Sequence, residues 1–252
     1  MAVIAGNWKM NLGPHETRGF FKRFDASVLE TGHELILFPT TASLSAAFLA
    51  RGEAVKGIGL GVQNIHWEDA GAFTGETSAP IAANAGAEFA LVGHSERRHV
   101  FGETDEETGL KVAAARRHGL VPVLCVGETL EERRADRVDE VILRQLDAAL
   151  PALEADGERF LVAYEPVWAI GTGETATPAD ASAAHTTLRR RLEEALGAGR
   201  ASRVPILYGG SVKPDNAAEL LAADEVGGVL VGGASLDPES FAAIVLAAGK
   251  AR

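Results

Sequence analysis

The chain has 252 residues, about 1.7 times the roughly 150 residues of a usual domain, which still admits one large α/β domain. Hydrophobic residues make up 46% and charged residues 23%, values that argue against disorder and against a membrane protein. Lys plus Arg number 24 against 35 Asp plus Glu, a formal net charge of -11, so the surface repels nucleic acid and anionic lipid. A phosphorylated metabolite is repelled too, unless a local positive island overrides the global field. The single cysteine, Cys125, has no internal disulfide partner, and Met1 to Ala5 ahead of Gly6 and Asn7 is too short for a signal sequence. The expected compartment is the reducing cytoplasm.

Apolar runs rich in Val, Ile and Leu begin near Val3, Leu35, Ile58, Phe89, Val121, Phe160, Val204 and Gly227. Each is short and nearly continuous rather than alternating, the pattern of parallel strands buried on both faces. Helical spacing fills the intervals. Glu103 to His118 carries Leu110 and Val112, then Arg116 and Arg117 in its last turn and Gly119 as a stop; Leu130 to Leu150 repeats the scheme with Val138, Val141, Ile142 and Leu146. Pro178, Pro214 and Pro238 fall where a helix would start, a position where the missing N–H is harmless. The reading is strand then helix, eight times, at about 30 residues per unit. No linker or shift in composition divides the chain, so residues 1–252 are expected to form one domain.

Alternating strands and helices fit either an open doubly wound sheet or a closed (β/α)8 barrel, and eight units in this length favour the α/β barrel. Gly171-Thr172-Gly173-Glu174-Thr175-Ala176 matches a dinucleotide fingerprint by letters, but six residues separate it from the preceding strand, whereas the fingerprint opens its helix directly. Gly57, Gly59 and Gly61 lie inside an apolar run and are read as allowing close backbone approach rather than phosphate binding.

In a closed barrel the C-terminal strand ends carry the active face. Here they read Gly6-Asn7-Trp8-Lys9, Gly93-His94-Ser95-Glu96, Tyr164-Glu165-Pro166, Tyr208-Gly209-Gly210-Ser211 and Val231-Gly232-Gly233. A doubled glycine alone is an ordinary tight turn. Two pairs after strands seven and eight, with Ser211 as a hydroxyl donor, favour an anion site built from backbone N–H groups. Glu165 follows an apolar strand and precedes Pro166, so desolvation is expected to raise its basicity and suit it to removing a proton from carbon; a structural ion pair is the alternative. His94 is either a hydrogen-bonded structural residue or, if neutral, a donor to a carbonyl and a proton shuttle. Lys9 is either a solvated charge or the cation of the positive island. Pro166 to Gly173 is apolar in its middle, with Pro at one end and Gly at the other, and reads as a lid or a buried connector.

Metal and nucleophile chemistry find no pattern. His94 and His99 lack metalloprotease spacing, Cys125 stands in an apolar run, and no G-x-S-x-G elbow occurs. No cofactor and no metal are expected.

With these residues in hand, the chain resembles the triosephosphate isomerase family. Gly6-Asn7-Trp8-Lys9-Met10-Asn11, Gly93-His94-Ser95-Glu96-Arg97-Arg98, Ala163 to Gly173 and Tyr208-Gly209-Gly210-Ser211-Val212 are similar to its signature segments, and the likeness runs in order from Ile4 to beyond Gly233. The resemblance implies interconversion of dihydroxyacetone phosphate and D-glyceraldehyde 3-phosphate through an enediolate, in glycolysis and gluconeogenesis. It implies Glu165 as base, neutral His94 as electrophile and proton carrier, Lys9 as charge balance and Asn7 as an orienting residue. Phosphate would be held by N–H groups of Gly171, Ser211, Gly232 and Gly233, with Ser95 and Glu96 supporting Glu165 and Lys9. The stretch Pro166, Val167, Trp168, Ala169, Ile170, Gly171, Thr172, Gly173, Glu174, Thr175 and Ala176 would be a lid that keeps the enediolate from eliminating phosphate to give methylglyoxal.

The segment from Gln63 through Glu76 resembles the family's dimer loop, so a homodimer through residues 64–79 is implied, with Thr74 near the tip. The family pattern is looser at Ile65, His66 and Ala70, and Ala135-Asp136-Arg137-Val138 lacks a glycine common there. Two alternatives keep the barrel: a lyase or aldolase using Lys9 as a Schiff-base amine, and a catalytically silent anion-binding protein. The first lacks an apolar pocket signature around Lys9. The second gives no use to a base facing a substrate carbon.

Overall fold

The computed structural model describes residues 1–52, 55–154, 159–170 and 176–249. Among them, eight strands close into a barrel: β1 (Val3–Asn7), β2 (Glu34–Phe38), β3 (Ile58–Val62), β4 (Phe89–Val92), β5 (Val121–Val126), β6 (Leu161–Tyr164), β7 (Ile206–Tyr208) and β8 (Gly228–Val231). Every pairing is parallel, and β8 returns to β1 with Val3 opposite Gly228 and Gly6 opposite Val231. Around them run α1 (Pro14–Arg23), α2 (Thr41–Arg51), α3 (Ala79–Asn84), α4 (Ser95–Phe101), α5 (Asp105–Arg117), α6 (Leu130–Arg134), α7 (Val138–Leu153), α8 (Pro178–Leu196), α9 (Ala198–Ala201), α10 (Ala217–Ala222) and α11 (Pro238–Ala248).

Side chains alternate across each strand and so divide the core into two layers. Val3, Ala5, Ile36, Phe38, Phe89, Leu91, Val123, Cys125, Leu161, Ala163, Leu207 and Leu230 pack together inside the barrel. Ile4, Leu35, Leu37, Leu124, Val162 and Tyr164 join the larger cluster between sheet and helices. A Cβ on Gly61 would lie 2.3 Å from the Phe38 ring, and one on Gly59 would lie 2.6 Å from the Phe89 ring, so these glycines admit two aromatic side chains to the barrel interior.

The same period of two sets the site. Residues 3 and 5 point inward on β1, so Asn7 does as well; residues 161 and 163 point inward on β6, so Glu165 continues that row into the barrel mouth.

Several local expectations shift. The helix expected over Leu130–Leu150 is two helices, α6 and α7, broken where Asp136 adopts φ 57°. A left-handed residue cannot continue a right-handed helix, and here an aspartate takes the conformation that suits glycine best. Helix α5 starts at Asp105 rather than Glu103 because Thr104 and Glu107 form a reciprocal capping box. Pro178 and Pro238 occupy first turns as expected, whereas Pro214 lies in a turn ahead of α10. Strand β7 begins at Ile206, two residues after the expected Val204.

Candidate active site

Asn7, Lys9, His94, Glu165, Ile170, Ser211, Gly232 and Gly233 line one cavity of about 820 Å³ at the C-terminal end of the barrel. Gly171, Thr172, Gly173, Glu174 and Thr175, expected in the lid and, for Gly171, in the phosphate site, lie outside the described residues. Lys213 also lines the cavity, a second cation that the strand ends do not include because it stands beyond the turn after β7.

His94 owes its position to a reversal at Gly93, where φ of 71° turns β4 into α4. The Gly93 amide donates to Glu103 Oε1 at 3.1 Å, and Arg98 Nε donates to the Gly93 carbonyl at 2.7 Å. His94 then caps α4, its Nδ1 accepting the Glu96 amide at 3.2 Å. An Nδ1 that accepts carries no proton, so the ring proton is on Nε2, which points at Glu165 Oε1 from 2.8 Å.

Glu165 is 2% exposed, and its second oxygen, Oε2, accepts the Ser95 amide at 2.9 Å. Burial pushes its pKa up, but His94 and the Ser95 N–H outweigh burial and hold the carboxyl below the usual glutamate value. This corrects the expectation that desolvation would raise its basicity: the two donors outweigh burial and hold the carboxylate in its charged form. Burial pushes His94 down, and the adjoining Glu165 carboxylate more than reverses that, so the ring titrates above its ordinary value.

Gly209 follows the inward-facing Leu207 and sits against Glu165: a Cβ there would be 2.8 Å from Glu165 Cγ. Its amide donates to the Tyr164 carbonyl at 2.7 Å. Sequence reading takes this glycine as part of an anion nest; the structure uses it to make room for the carboxylate.

Lys9 stands at φ 48°, and its Nζ is 2.6 Å from Glu96 Oε1. Two contacts hold that unusual backbone. The Lys9 amide donates to Asn7 Oδ1 at 2.9 Å, and Gln63 Nε2 donates to the carbonyls of Lys9 at 2.8 Å and Phe38 at 2.9 Å. Gln63 is a functional neighbour that sequence reading assigns only to the long loop after β3, and no local pattern reveals a partner 54 positions away.

Gly232 opens a short 3-10 turn at Gly233–Ser235 on the rim, and Ser235 fastens it by donating from Oγ to the Gly232 carbonyl at 2.7 Å while its own carbonyl accepts Trp8 Nε1 at 3.0 Å. Ser211 is held from behind, its carbonyl accepting Asn216 Nδ2 at 3.1 Å. Lys9 and this rim line the same cavity as the buried carboxylate.

The lid stretch begins with a 3-10 turn at Val167–Ala169. Trp168 Nε1 donates to Glu128 Oε1 at 2.8 Å, and the Tyr164 hydroxyl donates to the same oxygen at 3.1 Å. Burial, with Glu128 adding to it, pushes the Tyr164 phenol far up, so it remains a donor. Cys125 is fully buried, and desolvation together with Glu165 holds its thiol well above the ordinary value, which leaves it an uncharged core residue. Among the described residues no group of three or more His, Cys, Asp or Glu is placed to hold a metal ion, and no helix is long and apolar enough to cross a membrane.

Away from the cavity, Glu68 through Glu76 are exposed without interruption, with Thr74 among them. The base of this loop is fixed: the His66 amide donates to the Thr77 carbonyl at 2.8 Å, and Arg117 reaches Asp69 at 2.8 Å.

Fold and site together define a (β/α)8 barrel enzyme that transfers protons on a small anionic substrate. The model of the family described as triosephosphate isomerase matches residues 2–248. The chain is 47% identical to a triosephosphate isomerase of Symbiobacterium thermophilum over 254 residues, covering 99% of this chain and 98% of that protein. It is also 47% identical to a triosephosphate isomerase of Aquifex aeolicus, covering 96% and 98%. A crystal structure of triosephosphate isomerase from Bartonella henselae superposes with a TM-score of 0.87 at 40% identity, covering 98% of each chain. The chain belongs to the triosephosphate isomerase family.

Proposed function

We propose that this cavity interconverts dihydroxyacetone phosphate and D-glyceraldehyde 3-phosphate, an aldose–ketose isomerisation of glycolysis and gluconeogenesis, with Glu165 and His94 as its proton-transfer pair. The observation that carries the residue roles is the approach of Glu165 and His94 to 2.8 Å at a cavity that Lys9 also lines. Glu165 takes the proton from the carbon beside the carbonyl, and the electron pair moves to the carbonyl oxygen, giving an enediolate. The His94 Nε2–H stabilises that oxygen and relays a proton between the two oxygens, after which Glu165 returns its proton to the neighbouring carbon. Lys9 balances the developing negative charge and Asn7 orients the substrate.

The substrate phosphate is held by N–H groups of Gly171, Ser211, Gly232 and Gly233. Ser95 and Glu96 support the base and Lys9. Residues 166–176 act as a lid that protects the enediolate from losing phosphate. A coupled assay of glyceraldehyde 3-phosphate isomerisation tests these roles. Glu165→Gln is expected to cut turnover by about 10²- to 10⁴-fold while binding of a phosphate analogue survives, and near-normal turnover discards Glu165 as base.

The chain works as one domain, in the cytoplasm, as a homodimer through residues 64–79. Support comes from the uninterrupted exposure of Glu68–Glu76, which includes Phe73 at 43%, and from Met10 at 93% exposure beside Lys9. Sedimentation of the purified protein tests the dimer: a monomer at micromolar concentration overturns it, and Thr74→Arg is expected to weaken association.

A further inference from the structure

Beneath the first turn of the lid stretch lies a group of side chains that the reaction does not use. Glu128 has no exposed surface, accepts the Trp168 indole and the Tyr164 hydroxyl at one oxygen, and has no hydrogen-bond partner at the other among the described residues. A buried carboxylate needs a cation close by, and Arg133 Nη1 stands 3.4 Å from Glu128 Oε1. The Arg133 guanidinium also lies over the Trp168 ring, 4.6 Å from its centroid, within the range of a cation–π contact.

The other end of the stretch meets the same arginine. Arg133 Nη2 donates to Asp180 Oδ1. The second oxygen of Asp180 accepts the Thr177 amide at 2.9 Å and the Thr177 hydroxyl at 2.7 Å, closing the capping box that starts α8 directly after Ala176. Arg133 is itself well anchored: α6 begins with its own capping box at Thr129 and Glu132, and the Arg133 amide donates to the Thr129 carbonyl at 3.0 Å. One planar cation therefore touches the indole near the start of residues 166–176, the carboxylate that binds that indole, and the carboxylate that fixes the residue after their end.

We propose that Arg133 is a positioning residue for the isomerisation, a clamp that ties both ends of the 166–176 stretch to the short helix after β5. It touches no reacting atom. By setting where Trp168 and Thr177 stand relative to each other, it sets how well the stretch shields the enediolate. The inference rests on the lid reading given above. When shielding fails, the enediolate breaks its C–O bond to phosphate, the electron pair leaves with inorganic phosphate, and the remaining enol becomes methylglyoxal.

The test is the partition between isomer and methylglyoxal plus phosphate in the purified enzyme supplied with glyceraldehyde 3-phosphate. Arg133→Ala is expected to raise the eliminated fraction at least threefold and to lower kcat more than it changes KM. Arg133→Lys keeps the charge for Asp180 and Glu128 but not the flat face, and is expected to fall between the two. A purely structural role would lower thermal stability and leave the partition unchanged, and that result overturns the proposal. If Arg133→Ala does not fold, Arg133→Met, which keeps the aliphatic stem, carries the same comparison. Deleting residues 170–173 separates the two readings. No rise in elimination there overturns the lid and the clamp together, whereas a rise there with none in the Arg133 variants overturns the clamp alone.

Discussion

Glu165 Oε1 and His94 Nε2 lie 2.8 Å apart, so the carboxylate and the imidazole are bonded to each other across the barrel mouth. The Ser95 amide holds the other carboxylate oxygen at 2.9 Å. This pairing holds Glu165 below the usual glutamate value and lifts His94 above its own. The direction of the His94 shift has a consequence for a variant. Glu165→Gln removes the largest raising cause and leaves burial and Lys9, which lower it, against the weaker pull of Glu96. The His94 pKa, followed by ring NMR, is expected to drop from above 6.5 in the parent to below 6.5 in the variant. A rise or no change shows that the carboxylate is not what tunes the ring.

Gly209 is expected to tolerate no side chain without cost to the chemistry. A Cβ would stand 2.8 Å from Glu165 Cγ and 3.2 Å from the Tyr164 carbonyl oxygen. Displacing the carboxylate by even about 1 Å costs on the order of 10²-fold in rate. Gly209→Ala should therefore lower kcat by about 10- to 100-fold while KM moves little. Steady-state kinetics decide it, and parent-like kcat would mean that the carboxylate relaxes freely.

Gln63→Leu removes the donor shared by the Lys9 and Phe38 carbonyls. Lys9 stands at φ 48°, an uncommon conformation for a residue with a side chain, so it depends on such restraints. The expected outcome is a KM about tenfold higher and a stability loss of about 1–3 kcal/mol from two partly unpaired carbonyls. Urea unfolding and substrate saturation curves measure the two effects separately, and an unchanged KM would remove Gln63 from the support of Lys9.

His185 supplies a pH dependence of stability away from the active site. It has no exposed surface, Nδ1 donates to the Glu225 carbonyl at 3.1 Å, and burial lowers its pKa from 6.5 to about 4. The native fold favours the neutral ring. Its contribution is complete above pH 6.5, the unfolded value, and is lost as pH falls toward 4, a change of about 3 kcal/mol. Unfolding free energies between pH 7 and pH 4.5 should fall more steeply for the parent than for His185→Gln. Parallel curves would assign the acid sensitivity elsewhere.

Much of the fold is legible from short apolar runs at regular spacing, because a strand buried on both faces must be apolar at consecutive positions. The break between α6 and α7 is not legible, since Asp136 looks like an ordinary polar helix residue until its φ is known. The residues of the cavity rim stand out because polar groups at strand ends are conspicuous after apolar runs. Their neighbours do not. Gln63 reads as a loop residue, Glu128 as one more acid among 35 Asp and Glu, and Arg133 as one of two adjacent basic residues ending a helical turn.

Sequence alone determined the repeat, the polar residues that follow each apolar run, and the family, because apolar runs and motif order are local properties. Tertiary structure decided the state of the proposed proton-transfer pair. Burial argues for a more basic Glu165, and only the placement of His94 and the Ser95 amide, 71 and 70 positions away, shows that contacts across the barrel outweigh burial. Charge follows the same division: the total of -11 is fixed by composition, but whether a phosphate can approach depends on Lys9 and the glycine rim facing one cavity, and that is a matter of position.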